Sequence, residues 1–306
     1  MRFERCPLRE LPGGEVCKVF PFHVSMQGQG MECRILCRDD EDYDYFVKCI
    51  ILCAWRRRVI VVMYAVVSNH AHMVVLAKSQ EGAEQYGDEV KRCYSMHFGK
   101  KYSEKSSMKH VNAKAIFLDT DWYLRNAIAY DIRNAIDNGA ENALIYRWSG
   151  YSGMFCDRSR IEGVEVRGLN KRDRRRLMHT DEDLSGVRWV LGKDGCVIPA
   201  TVCDWRYLEA AFCGDQAYFL KMIGMTPVAE MQLRLVDAPR KMMNDNDFLR
   251  QVNDISQRWF NETVDKLPTT KKYRLLTYVY HSIHTTVPQL ARIFELEREV
   301  VGRVVS

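Results

Sequence analysis

The chain has 306 residues, a formal net charge of +5, 47% hydrophobic and 28% charged side chains. That is material for one large domain or two ordinary ones, and two is the expectation. The composition is that of a soluble globular protein, and the sequence excludes a membrane-spanning chain, since no apolar run approaches the ~20 residues needed to cross a bilayer.

The opening "MRFERCPLRELPGG" has no continuous apolar core and does not read as a secretory signal, so a cytoplasmic protein is expected. Residues 18–28 alternate as a strand. "RDDEDYDYFVKCIILCAWRRR" follows with an acidic start, apolar residues at helical spacing and a basic end, the orientation that suits a helix dipole. Residues 59–68 and "AHMVVLA" read as two strands about a tight turn at Asn69. Residues 81–102 are predicted helical, 114–118 a short strand, and Asp119 or Thr120 caps a helix through Asn138 that stops at Gly139. The order strand, helix, strand, strand, helix, strand, helix predicts an α+β fold, a ferredoxin-like antiparallel sheet with covering helices.

After Phe155 the composition changes. Residues 156–180 are basic and poor in apolar side chains and read as a linker, separating a domain over 1–155 from a mainly α-helical C-terminal region over 181–306. Residues 269–306 look like three short helices. Thr285 or Thr286 caps "VPQLARIF", Pro288 sits in its first turn, and "EREVVGRVVS" follows at helix-turn-helix spacing.

Eleven cysteines without a CxxC spacing argue for buried, reduced thiols, Cys49, Cys53 and Cys93 on helical apolar faces among them, rather than a disulfide frame or zinc site. Cys33 and Cys37 are the nearest thing to a metal pair and bring no further ligands. Four basic runs stand out: Arg56, Arg57 and Arg58; Lys91 and Arg92; Lys100 and Lys101; and Lys171, Arg172, Arg174, Arg175 and Arg176. Any one could be a solvated face, but four together point to a polyanion.

"VVSNHAHMVVLA" places His70 and His72 two apart among β-branched residues. On a strand both imidazoles point to one face and can share an ion, whereas on a helix they would diverge by ~200°. The alternative is two half-buried, hydrogen-bonded histidines. Two imidazoles leave open positions on a divalent ion, which can then act as a Lewis acid on a phosphodiester oxygen. A nucleophile is then needed. Tyr130, in "LRNAIAYDIRNAIDNG", is the best candidate, because it shares a helical stripe with Asn126 and Asn134 and can present a phenol and an amide oxygen to one site. A phenol, with its pKa near ~10, leaves phosphorus more readily than an alkoxide, so a tyrosyl phosphodiester can be rejoined without an outside energy source. The alternative for Tyr130 is a ring packed on the sheet.

Five blocks in order, "FHVSMQGQ" (Phe22 to Gln29), "DDEDYDYF" (Asp39 to Phe46), "SNHAHMVV" (Ser68 to Val75), "DWYLRNAIAYDIRN" (Asp121 to Asn134) and "YRWSGY" (Tyr146 to Tyr151), resemble the HUH single-tyrosine transposases, most closely the REP-associated tyrosine transposases. The resemblance covers about half of the chain, residues 18–155. It implies that His70 and His72 are metal ligands, that Asn134 is a third, side-chain oxygen ligand, and that Tyr130 forms a 5′-phosphotyrosine link on single-stranded or hairpin DNA. Mg²⁺ or Mn²⁺ is the implied ion. Relatives carry a Gly-His-aromatic-x-Gln-Gly-Arg run where this chain has "SMKHVNAKAIFLD", and an Asn-Pro-Val run where it has "RNAIDNG"; these departures bear on DNA preference and activity, with His110 and Lys114 as substitutes for lost contacts or as surface groups.

The second half resembles the helical extension of longer relatives, which implies DNA contacts at Gln289, Arg292, Glu299 and Arg303. Basic runs would hold phosphates and Tyr102 would stack a base. The expected activity is a nicking and rejoining transposase. The alternative is a catalytically silent, sequence-specific DNA-binding regulator working through the C-terminal helices, and no motif favours an RNA partner. The resemblance leaves monomer and homodimer both open.

Overall fold

Two short strands, β1 (Leu8–Glu10) and β2 (Val16–Lys18), pair as a hairpin ahead of the first long strand, β3 (Phe20–Gly28). The computed structural model describes residues 3–28, 35–103, 111–137, 146–225, 243–283 and 285–305. Helix α1 (Asp40–Arg57) follows. Asp39 caps it by accepting from the Asp42 amide, acids fill its first turn, and Arg56 and Arg57 close its last, so the charge order read from the sequence matches the dipole. Strands β4 (Ile60–Val66) and β5 (Ala71–Ala77) form a hairpin closed by a hydrogen bond from the Val67 amide to the His70 carbonyl. Helix α2 (Gln80–Tyr102), strand β6 (Val111–Phe117) and helix α3 (Asp121–Asp137) complete the first half. Thr120 caps α3, accepting from the Tyr123 amide at 3.1 Å. His110, Asn138 and Gly139 lie outside the described residues.

The fold is α+β. Its main sheet has the order β4-β5-β3-β6 with every neighbour antiparallel. Strands joined through a helix are not neighbours: β5 separates β3 from β4, and β3 separates β5 from β6. Helices α1 and α2 cover one face, where Phe46, Ile50, Tyr86 and Val90 pack on Val24, Met73 and Val75. Helix α3 covers the other, with Leu124, Ala127 and Ile128 against Val62, Val74 and Leu76.

The linker expected over 156–180 is corrected by the structure. Strand β7 (Val164–Glu165) and helix α4 (Lys171–Met178) lie in this stretch, and β7 pairs with β8 (Val190–Leu191). Val166, Met178, Leu184 and Leu191 join the same core as α1 and α2. Short turns and two-residue strands bury their few apolar side chains without any period to read. Nor is the chain helical from 181 onward; helices resume with α5 (Trp205–Ala211) and α6 (Gln216–Met225). Tyr207, Phe212, Phe219 and Ile223 pack on the outer side of α3, so α3 buries apolar residues on two sides. The first unit therefore runs past residue 155.

A separate core forms among α7 (Asp245–Phe260), α8 (Thr269–Ser282), α9 (Val287–Phe294) and α10 (Arg298–Val305), centred on Phe248, Leu276, Leu290, Phe294 and Val301. The three short helices expected over 269–306 are present, Thr286 caps α9, and residues 295–297 turn the chain into α10. Among the described residues no helix is long and apolar enough to cross a membrane.

Candidate metal centre and nucleophile

The register of the sheet assembles the site. Lys114 on β6 stands opposite Ser25 on β3, which stands opposite His72 on β5, so one row crosses three strands. His23 is two residues from Ser25 and shares its face. On this face lies α3, which brings Tyr130 and Asp131 down onto His72 and His23.

His23 and Asp131 form the tightest contact, Nε2 to Oδ1 at 2.9 Å, both buried. The same carboxylate oxygen is 3.9 Å from His72 Nδ1. The rings of His23 and His72 stack at 5.1 Å, His70 meets His72 edge-on at 4.8 Å, and the Tyr130 ring lies 5.5 Å from His72 at 80°. His70 Nδ1 is 2.7 Å from the Asn69 side-chain oxygen, which orients its ring. Donor atoms of His23, His72 and Asp131 all fall within 4.8 Å of one another.

This set fits a cation. Both ring nitrogens of His72, Nδ1 of His23 and Oδ2 of Asp131 are buried and make no hydrogen bond among the described residues. Each such group costs about 1–3 kcal/mol when unsatisfied, and an ion would relieve one lone pair on each residue, the other nitrogen of a neutral His72 keeping its proton. Burial, with the positive fields of His70 and His23, holds His72 well below the usual histidine range, and the neutral imidazole is the form that binds metal. Burial also raises the Asp131 carboxyl, against the opposing pull of His23.

His70, His72 and Tyr130 thus meet as the sequence suggested. Asn134 sits one turn beyond Tyr130, and its amide nitrogen donates to the Tyr130 carbonyl at 3.1 Å. Asn126 turns to the Trp122 carbonyl at 2.8 Å. His23 and Asp131 were missed by the sequence reading. Asp131 had a signal, a carboxylate inside an apolar helix beside the candidate nucleophile; His23 had none until the strand register was known.

The basic residues fare differently. Arg57 pairs with Glu89, Arg56 with Glu182 at 2.5 Å, and Arg58 with Glu15 at 3.6 Å. Lys101 contacts Asp39, Glu41 and Asp42 within 3.0 Å, so its charge is shared among three carboxylates. Tyr102 donates to Asp42 at 2.6 Å and Arg38 covers its ring, which corrects its expected role in base stacking. Lys91 lies 3.4 Å from Asp88, and Arg92 lies 3.8 Å from Glu89. Lys100, Lys171, Arg172, Arg175 and Arg176 are exposed, Arg175 and Arg176 beside Asp181 and Asp173, while Arg174 is half-buried. Apart from Arg58, which follows the end of α1, all belong to α1, α2 or α4, on the sheet face opposite Tyr130.

In the C-terminal unit Gln289 is fully buried, donating to the Met243 carbonyl at 2.9 Å and to Asp245 at 3.2 Å, and Arg292 forms a two-pronged pair with Asp245. These two expected DNA contacts are corrected: both side chains pin α9 to the start of α7. Glu299 and Arg303 are exposed on α10 and lie 3.7 Å apart.

No family model and no curated protein matches the chain. A solved structure described as the REP-associated tyrosine transposase bound to a REP hairpin is similar over 50% of this chain and 84% of that one, with 12% identity and a TM-score of 0.35. It comes from the family that the five sequence blocks resemble. At that score the likeness transfers no residue roles, and the side chains themselves carry the functional reading.

Proposed function

We propose that the chain is a metal-dependent single-tyrosine DNA transposase of the HUH kind, or a domesticated relative, which nicks and rejoins single-stranded DNA beside a hairpin. The observation that carries this is the meeting of His72, with both ring nitrogens buried and without a hydrogen bond among the described residues, and Tyr130 at 5.5 Å between ring centres. The strand order of the sheet is consistent with the ferredoxin-like arrangement of that superfamily.

His72 and His70 would hold the ion with Asn134 through its side-chain oxygen, and the geometry adds His23 and Asp131 to the candidates. A bound divalent cation polarises a non-bridging phosphate oxygen and draws charge from the reacting phosphodiester. A ligand set rich in imidazole favours Mn²⁺ over Mg²⁺, which prefers oxygen ligands throughout. Tyr130 gives up its phenolic proton as its oxygen bonds to phosphorus, and the 3′-oxygen departs as a hydroxyl, leaving DNA on the tyrosine through its 5′-phosphate. Lys114, exposed in the histidine row, is placed to hold the incoming phosphate. Exposed Lys171, Arg172 and Arg303 supply phosphate contacts farther out, and α9 with α10 makes the helix-turn-helix.

One observation favours a second reading, the silent DNA-binding regulator. Tyr130 is only 4% exposed, its ring held between α3 and the sheet against His72, so a strand reaches the phenol only if the helix and sheet part there. A denaturing gel separates the two. Wild type and Tyr130→Phe are incubated with labelled single-stranded hairpins from the flanks of the gene in Mn²⁺, Mg²⁺ or EDTA. The expected result is a metal-dependent shifted band that the variant lacks. DNA retained on a native gel with no covalent band in any metal would establish the regulator.

A further inference from the structure

On the far side of the sheet, Cys53 near the end of α1 and Cys93 in the middle of α2 bring their sulfurs within 3.8 Å, with the Cys53 thiol donating to Cys93. Cys93 borders a cavity of about 420 Å³ between α1, α2 and α4. Arg56 Nη1 donates to Cys93 Sγ at 3.4 Å, and Arg92 Nη2 lies 4.0 Å from the same sulfur. Glu89 is near enough to complete a three-ligand metal group with the two thiols. The surrounding charge opposes a metal: Arg56, Arg57 and Arg92 all contact Glu89, so a dication would enter against three guanidinium groups. What that field stabilises is a thiolate.

We propose that Cys93 and Cys53 form a peroxide-sensitive dithiol, Cys93 the nucleophile and Cys53 the thiol that resolves it into a disulfide bridging α1 and α2. The Cys93 thiolate attacks one oxygen of a hydroperoxide, which breaks the O–O bond, gives a sulfenic acid at Cys93 and releases hydroxide or alkoxide. The Cys53 thiol then attacks the Cys93 sulfur, the S–S bond forms, and the sulfenic oxygen leaves as water with the Cys53 proton. Two electrons pass from the thiols to the peroxide. The Cys53 hydrogen bond, with Arg56 and Arg92, brings the Cys93 thiol below the usual cysteine range despite its burial, which favours the thiolate. The hydrogen bond to Cys93, with burial, pushes Cys53 up, leaving it a protonated resolving thiol. The cavity gives a small peroxide its path to Cys93.

The test uses the reduced full-length protein, treated with one equivalent of hydrogen peroxide, quenched with N-ethylmaleimide and mapped by peptide mass spectrometry. The expected main product is a Cys53–Cys93 linked peptide lighter by two hydrogens, while the exposed Cys213 stays alkylated. In Cys53→Ala, dimedone should trap a sulfenic acid on Cys93, and in Cys93→Ala none should form on Cys53. Iodoacetamide at pH 6 should label wild-type Cys93 roughly tenfold faster than a model cysteine peptide, the higher thiolate fraction outweighing its lower nucleophilicity. Oxidation of Cys213 ahead of the pair, absence of the linked peptide, or labelling no faster than the model thiol overturns the proposal. So does stoichiometric Zn²⁺ shielding both thiols from N-ethylmaleimide, which would mark a metal site. The wild-type arms stand even if a variant fails to fold.

Discussion

His72 is a residue whose replacement separates folding from function. Because neither of its nitrogens makes a hydrogen bond among the described residues, His72→Leu loses no such bond and fills a similar volume, so metal-free stability should hold or rise. The variant should lose metal-induced stabilisation, about 2.7 kcal/mol in wild type at a hundredfold excess over Kd, read as a Tm shift with and without Mn²⁺. Asp42 is the opposite case. Burial raises its carboxyl, but hydrogen bonds from His97, Tyr102, the Arg38 amide and Lys101 outweigh that and hold it below the usual aspartate range. The unfolded chain therefore binds this proton first on acidification: the stabilisation is complete above about pH 4, the unfolded value, and is lost as pH falls through the lower folded value. Asp42→Asn should cost about 3 kcal/mol in urea unfolding at pH 7, a difference that shrinks by pH 3. Of the site residues, the sequence made legible those with a local pattern, the His70/His72 alternation and the Tyr130/Asn134 stripe. His23 was illegible because its partner Asp131 lies 108 positions away and only strand register joins them.

Elements with caps, charge order and a sustained period, α1, α2, α3 and the β4–β5 hairpin, were legible as types and in order. The segment from 156 to 204 was not, because Val166, Met178 and Leu191 enter the core singly from turns and short strands, and each looks like a stray apolar residue in a basic stretch. Close approach between elements was equally invisible. Gly87 on α2 has no room for a side chain: a Cβ there would sit 2.8 Å from the Ala113 Cβ and 2.9 Å from Val24 Cγ1. Gly87→Ala should lift α2 from β3 and β6 and cost about 1–3 kcal/mol, measured by thermal or urea unfolding. Its effect belongs to helix packing, and the histidines on the other face should keep their metal response.

For the whole molecule, the sheet is a partition. That the basic runs and Tyr130 fall on opposite faces was not legible from the residues, since charge runs carry no information about which side of a sheet they decorate. Replacing Lys171 and Arg172 with alanine should lower the slope of log K against log salt for single-stranded DNA by about 0.7 per cation and leave the position of any tyrosyl link unchanged. Lys114→Ala should lower the slope by a similar amount and, unlike the α4 pair, also reduce formation of that link. A strand held by α4 can meet Tyr130 only by passing round an edge of the sheet, and β6, carrying Lys114, is one such edge. On the proposed function the protein is then a ruler as much as a cutter: the length of the path from anchored phosphates round the edge to the phenol sets where the strand is joined, and a substrate whose flank is too short is excluded by reach, whatever its bases.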